Sequence, residues 1–170
     1  MIKLDTLEKR VKVVYLGIGS NIGNRVCNIE KAKALLLENN IIFISISSYY
    51  ETPSWPNPKN PKFINIVLKV ECSQNPIELL SLCKKIEVIL GRKKSPKNAP
   101  RECDIDIIDF GGLVLKNRLN LPHKMMHKRN FVLFPLFEIE KDWFHPLFKT
   151  NIKNLILSLS NNEIRSIKQI

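Results

Sequence analysis

Apolar positions recur along the chain with two periods. Phe63–Cys72 alternates, with Ile64, Ile66, Leu68 and Val70 on one face and Phe63, Asn65, Val67, Lys69 and Glu71 on the other, which predicts a strand with one face in a core. Val11–Ile18, interrupted only by Lys12, predicts a buried strand, and Ile41–Tyr50, where Ile44 and Ile46 alternate with Ser45 and Ser47, predicts another. The helical period appears after Asn24, an N-cap for a helix reaching about Asn39 with Val26, Ile29, Ala32, Leu35 and Leu36 on its buried stripe. Asn75-Pro76-Ile77-Glu78 is a second helix start, with a cap, a first-turn proline and a capping-box acid. Gly91 stops that helix, and Ile77, Leu79, Leu80, Cys83, Ile86 and Leu90 supply its stripe. A last strand follows at Asp104–Ile108, where three isoleucines favour extended backbone.

Strand, helix, strand, strand, helix, strand closes as an antiparallel sheet with both helices on one face, an α+β sandwich of ferredoxin-like βαββαβ type. The other face is expected to stay open for a ligand. Beyond Gly111-Gly112 a hairpin arm (Leu113–Leu115 with Leu119–Leu121) and a helix over Ile152–Leu159 form a C-terminal extension. No repeat or boundary divides residues 1–170, so one domain is expected, a reading that fits both its length and its 44% apolar content.

Charge narrows the partners. Twenty-seven Lys and Arg against sixteen Asp and Glu leave +11, which favours polyanions: nucleic acid, an anionic membrane surface or a phosphorylated small molecule. Cys27, Cys72, Cys83 and Cys103 form no C-x-x-C pair, and reduced thiols are expected. Met1–Arg10 is charged throughout and no stretch reaches the ~18 apolar residues of a membrane span. A soluble, cytoplasmic protein is therefore expected.

The chemistry concentrates in Arg101-Glu102-Cys103-Asp104-Ile105-Asp106-Ile107-Ile108-Asp109-Phe110-Gly111-Gly112. On a strand Asp104 and Asp106 share a face, roughly 6.6 Å apart along the chain. Two carboxylates so placed can share one or two hard cations such as Mg²⁺, with waters or phosphates completing the shell; a solvated face answering nearby lysines is the plainer alternative. Asp109, of opposite parity and beside the glycines, reads as a strand-end or turn residue. With Phe110 and Gly111 it spells the D-F-G of protein kinases, but the catalytic-loop and β3-lysine motifs are missing.

Other stretches have two readings each. Gly17, Gly19 and Gly23 miss the spacing of a dinucleotide loop, so a sharp turn and close backbone packing are favoured. The loop Glu51–Pro61 carries four prolines and Trp55, which is a plug in the core or a lid over a flat ligand, the plug being slightly preferred. Phe63 and Asn65 suit either a planar hydrogen-bonding heterocycle or an ordinary half-exposed strand. The basic run Arg92–Pro100 would by itself be a solvated loop; beside the aspartates it offers cations to metal-bound phosphates. His123 and His127 lack a third zinc ligand nearby, and anion contacts fit them better.

Taken together, Tyr15–Asn21 with Gly23-Asn24, Ser48–Pro53, Phe63–Asn65, Ile86-Glu87 with Gly91-Arg92, Pro100-Arg101 with Asp104–Ile107, and Pro122-His123 with Arg129, Phe131 and Pro135–Ile139 resemble the 6-hydroxymethyl-7,8-dihydropterin pyrophosphokinase family. The pieces stand in family order from about residue 11 to 140. The resemblance implies transfer of pyrophosphate from ATP to the hydroxymethyl group of the reduced pterin, leaving AMP, in folate biosynthesis. It implies two Mg²⁺ ions on Asp104 and Asp106, and catalytic or phosphate-contacting roles for Arg92, His123 and Arg129. Glu87, Lys94, Arg101 and the main chain around Ile107 match further nucleotide-side positions. Thr52, Pro53, Trp55, Phe63, Asn65 and Phe131 match a pterin pocket in which aromatic rings sandwich the heterocycle and Asn65 bonds its edge.

The chain departs from the family pattern in Asn98 and Ala99, where an aromatic residue and glycine are common, and in Lys84, Lys94 and Lys97, where glutamine, arginine and arginine are common. A monomer binding ATP and the pterin alcohol, with no nucleic-acid or membrane partner, is expected. Two other readings use the same features. An RNA-binding domain would use the charge, without the usual stacking signature on a central strand, and a nucleotidyl transferase would use both aspartates and release pyrophosphate.

Overall fold

The computed structural model describes residues 11–170 except 95, 97 and 117; the charged segment 1–10 and Lys97 therefore lie outside the described residues. Its elements are β1 (Lys12–Ser20), α1 (Arg25–Glu38), β2 (Ile42–Ile46), β3 (Tyr50–Thr52), β4 (Phe63–Cys72), α2 (Pro76–Ile89) and β5 (Asp104–Phe110). A short hairpin follows, β6 (Leu115–Lys116) with β7 (Asn120–Leu121), then α3 (Asn130–Ile139), a second hairpin β8 (Phe144–His145) with β9 (Thr150–Asn151), α4 (Ile152–Leu157), α5 (Asn161–Ser166) and β10 (Lys168–Gln169). The main sheet is antiparallel, in the order β10-β3-β4-β1-β5, with β2 also on β4.

The helix starts are written locally. The side chain of Asn24 accepts the N–H of Cys27, and Asn75 forms a full capping box with Glu78, satisfying amide groups that a first turn leaves unpaired. Ile29, Ala32 and Leu36 of α1 and Leu79, Leu82, Cys83 and Ile86 of α2 then pack on Val14, Leu16, Ile18, Ile64, Ile66, Leu68, Ile105 and Ile107. That core fills one face of the sheet. Burial pushes the Cys83 and Cys103 thiols up to about 12, so both are inert at neutral pH.

The opposite face is only half open, contrary to the sequence expectation. Val132, Leu133 and Leu136 of α3, Ile152 and Leu155 of α4, and Trp143 pack there on Tyr15, Val67 and Ile108 as a second core. Helix α3 was not foreseen, because Pro135 interrupts its apolar run; the proline is buried inside the helix, where the packing outweighs the lost amide hydrogen bond. Other expectations are also corrected. The predicted strand Ile41–Tyr50 is two strands, and its alternation runs in the opposite sense. Ile42, Ile44 and Ile46 are exposed, whereas Ser47 is buried and its Oγ accepts the N–H of Val67 at 2.9 Å. Val26 and Ile77 lie on the exposed sides of their helices.

A bulge in β5 matters for the chemistry. Leu16 faces Ile107 and Tyr15 faces Asp109, leaving Ile108 as an extra residue. An extra residue reverses the alternation beyond it. Asp104, Asp106 and Ile108 share the second face, and Asp109 rejoins it, accepting from Trp143 Nε1 at 2.9 Å and from the Gly112 N–H at 3.0 Å. Asp109 is a strand-end residue as expected, but its parity is not.

Candidate active site

Where α3 and α4 stop covering the second face, a cavity of about 640 Å³ opens over the ends of β1, β4 and β5. Its floor is Gly17 and Gly19 of β1, flanked by Asn65 and Phe63 of β4 and by Asp104 and Asp106 of β5. At position 19 a Cβ would stand 2.6 Å from Asn65 Oδ1 and 3.3 Å from the Phe63 ring, so glycine leaves both side chains in place. The close packing expected of these glycines is present, and it is packing at the site itself.

One wall is ionic. Asp104 accepts from Arg92 at 2.8 Å and lies 3.3 Å from Arg101; Asp106 accepts from Arg129 at 3.2 Å and lies 3.8 Å from His123 Nε2. Behind them Glu87, 1% exposed, reaches from α2 to the outer edge of β5, where it accepts the Ile105 N–H at 2.8 Å and Lys84 Nζ at 2.8 Å and pairs with Arg92. A buried carboxylate is tolerable only when so fully bonded, and the result is that Arg92 is fixed between Glu87 and Asp104. Burial opposes ionisation of Asp104, but the charges of Arg101, Lys84 and Arg92 prevail and hold it below the usual carboxylate range. Burial pushes His123 below the ordinary imidazole value, Arg129 adding to this and Asp106 opposing it. Its Nδ1 accepts the Met125 N–H at 3.2 Å, so the proton of the neutral ring sits on Nε2, facing the acids.

The other wall is flat and mixed. Thr52, Pro53, Trp55, Phe63, Asn65 and Phe131 all line it, and Asn65 Nδ2 donates to Thr52 Oγ1 at 3.3 Å. Trp55 is 41% exposed, which overturns the preference for a core plug. The Arg129 guanidinium lies 5.3 Å from the Trp55 ring and 5.5 Å from the Phe131 ring, distances at which a cation is attracted to an aromatic face.

All of the expected site residues line the cavity except Ile107. The side chain of Ile107 is buried in the first core, because it alternates with the two aspartates. His127 is also apart from the site, its ring edge-on to Phe148 at 4.9 Å. Lining residues left unassigned by the sequence include Lys84 and Val88, whereas Lys93 belongs to the basic run expected beside the aspartates. For Lys84 a signal existed: it stands three residues before Glu87, on the same helix face. Asn21 was likewise passed over. Its Oδ1 accepts the Arg101 N–H at 2.8 Å and its Nδ2 donates to Pro61 O at 3.1 Å, hanging both loops of the cavity from the end of β1.

Six basic side chains (Lys84, Arg92, Lys93, Lys94, Arg101, Arg129) face three acids (Asp104, Asp106, Glu87) in the lining. That excess suits a polyphosphate. Among the described residues no group of three or more His, Cys, Asp or Glu could enclose a metal ion. Two carboxylates on one strand face nevertheless fit Mg²⁺, which takes few protein oxygens and fills its shell with water and substrate phosphates.

The family model for 7,8-dihydro-6-hydroxymethylpterin-pyrophosphokinase matches residues 15–141. The chain belongs to this family. It is 41% identical over 141 residues to the 2-amino-4-hydroxy-6-hydroxymethyldihydropteridine pyrophosphokinase of Aquifex aeolicus, covering 82% of this chain and 88% of the relative. To the enzyme of the same name from Bacillus subtilis it is 37% identical over 129 residues, covering 75% and 77% of the two chains. Longer relatives exist. The folic acid synthesis protein of Dictyostelium discoideum is 36% identical over 150 residues, 88% of this chain but 23% of that one. Among solved structures, the wild-type HPPK-DHPS of Plasmodium falciparum aligns with 95% of this chain and 48% of its own, with a TM-score of 0.71 at 14% identity, a likeness of fold. The matched span contains both walls of the cavity.

Proposed function

We propose that the protein is a Mg²⁺-dependent pyrophosphokinase of folate biosynthesis, transferring the β,γ-pyrophosphoryl group of ATP to the hydroxymethyl oxygen of 6-hydroxymethyl-7,8-dihydropterin and leaving AMP. One observation carries this reading: within a chain of that family, a single cavity juxtaposes two carboxylates ringed by arginines with an amide and aromatic wall. The first half suits a metal-bound triphosphate and the second a flat heterocycle.

Asp104 and Asp106 would hold two Mg²⁺ ions, which when bound neutralise phosphate charge and orient the reacting oxygens. The side chains of the chain supply the remainder. Arg92, fixed by Glu87, and Arg101 present guanidinium groups beside Asp104 and can turn to phosphate oxygens once the carboxylate is otherwise engaged. His123, neutral with its proton on Nε2, donates rather than accepts at that edge. Lys84, Lys93 and Lys94 add point charges around them. On the far wall Asn65, steadied by the N–H it donates to Thr52, offers its second amide N–H and its carbonyl oxygen to the pterin edge, while Phe63, Trp55 and Phe131 offer ring faces. Because transfer between oxygens needs alignment and charge neutralisation above all, a rigid floor of backbone and paired cations is adequate machinery.

Residues 1–170 are read as one ferredoxin-like domain, acting as a cytoplasmic monomer on ATP and the pterin alcohol without nucleic acid or membrane. The strand order β5-β1-β4 with β2 and β3 alongside supports that fold name, and no helix among the described residues is long and apolar enough to cross a membrane. The direct test is ³¹P NMR of a mixture of protein, ATP, Mg²⁺ and the reduced pterin alcohol. AMP and a pterin diphosphate are expected in equal amounts. Release of ADP or free pyrophosphate, or ATP loss that ignores the pterin, would contradict the assignment.

A further inference from the structure

The segment 160–170 lies beyond the residues that the family model matches, yet it is bonded to residues that directly adjoin two walls of the cavity. It begins with Ser160, whose capping box with Glu163 starts α5. None of the residues of α5 is buried; Ile164 is partly buried against the second core. Its main polar anchor is Asn130. The buried Nδ2 of that residue donates to Glu163 O at 2.6 Å and to Ser166 Oγ at 3.0 Å, while its Oδ1 accepts the Phe131 N–H at 2.7 Å. Asn130 stands between Arg129 and Phe131, both lining the cavity.

The other end of the segment is tied to the facing wall. In β10 Lys168 pairs with Glu51 and Gln169 with Tyr50, the Ile170 N–H donates to Tyr49 O at 3.0 Å, and Gln169 Nε2 donates to Ser48 Oγ at 2.8 Å. Strand β3 runs from Tyr50 directly into Thr52 and Pro53. Eleven residues with little apolar burial thus span from the Phe131 side to the Thr52 side. Hydrogen bonds of this kind add only about 0.5–1.5 kcal/mol each to stability, so their larger consequence is geometric: they set the separation of two surfaces between which a flat ligand must fit.

We infer that Asn130 and the segment 160–170 act as a strap that positions Phe131 against Thr52 and Pro53, and so determines affinity for the planar substrate. Asn130 is here a positioning residue, not a catalytic one, and the inference rests on the pyrophosphokinase reading for the identity of that substrate. The pair of Arg129 with Asp106 and its contact with the Trp55 ring involve no residue of 160–170, so the nucleotide side has anchors of its own.

Asn130→Asp separates strap from local turn. It keeps an acceptor for the Phe131 N–H, loses both donors to α5, and sets a carboxylate against the Glu163 carbonyl. A chain ending at Leu159 removes the strap by another route. Both variants are expected to raise the pterin KM about tenfold, as the loss of two hydrogen bonds would, while the ATP KM stays within about twofold. In the ligand-free variants, amide exchange should quicken at residues 50–52 and 131–133 and stay slow in β1. Equal rises in both KM values, or an unchanged pterin KM in Asn130→Asp, would overturn the strap. If the unaltered chain makes no AMP, the pyrophosphokinase reading falls, whereas the exchange measurement still decides whether the segment orders those two walls.

Discussion

The second face of the sheet has a closed half and an open half, and the same three strands run through both. On β1 the face changes from Tyr15 to Gly17 and Gly19; on β4 from Val67 to Asn65 and Phe63; on β5 from Ile108 to Asp106 and Asp104. The closed half is apolar and roofed by α3, α4 and Trp143. The open half has lost its side-chain volume in the middle and gained charge at one side and flat polar surface at the other. Alternation therefore tells which side chains share a face, but the roof decides which of them become core and which become site.

The largest break in this comparison is expected from the acids. Asp104→Ala or Asp106→Ala should lower Mg²⁺-dependent AMP formation by several orders of magnitude, as loss of transition-state charge neutralisation does, with an unchanged circular dichroism spectrum. Near-normal turnover in either would remove both from the mechanism.

Filling the open floor comes next. Gly19→Ala puts a Cβ 2.6 Å from Asn65 Oδ1 and must push that amide aside, whereas at Gly17 a Cβ would meet Ile108 Cδ1 at 3.3 Å. Gly19→Ala should weaken pterin binding roughly tenfold or more, as a displaced hydrogen-bonding group would, and Gly17→Ala by much less. Isothermal titration with the pterin alcohol ranks the two, and the reverse order would place the heterocycle elsewhere.

At the closed end a substitution should affect stability and spare catalysis. Trp143→Phe removes the Nε1–H donated to Asp109, whose carboxyl pKa burial already raises despite that bond. Leaving the acid with one donor fewer should cost about 1–3 kcal/mol in urea unfolding, with kcat and KM unchanged.

The smallest effect expected is a pH slope. His145 is buried under the same roof, its Nδ1 accepting the N–H groups of Leu147 and Phe148, and burial, reinforced by His127, pushes its pKa down from 6.5 to about 4. The unfolded chain therefore takes up a proton near pH 6.5 that the folded chain refuses, so stability is full above that pH and is lost progressively as pH falls toward 4. His127 and His123 are shifted the same way. His145→Gln, neutral throughout, should flatten the fall in melting temperature over this window; an unaltered slope would assign it to other groups.

Much of this arrangement was legible from residue order alone. The caps at Asn24 and Asn75, the alternation of β4 and the shared face of Asp104 and Asp106 are local, and local geometry carries them. What was missed depends on distant partners. The half-roof over the second face needs Trp143 to meet Asp109, 34 residues away. The β5 bulge, which returns Asp109 to that face, is a property of its register with β1. The exposure of Trp55 and the role of Asn21 follow from loops that touch only after folding, and α3 was hidden by a proline that tertiary packing tolerates.

Assigned amide spectra recorded during titration with the pterin alcohol and a Mg²⁺-bound, non-hydrolysable ATP analogue address the division of the face most directly. Shifts are expected at Gly17, Gly19, Asn65, Asp104 and Asp106, with Tyr15, Val67 and Ile108 on the same three strands nearly still. Shifts centred instead on the closed half, or on the α1–α2 face, would contradict it.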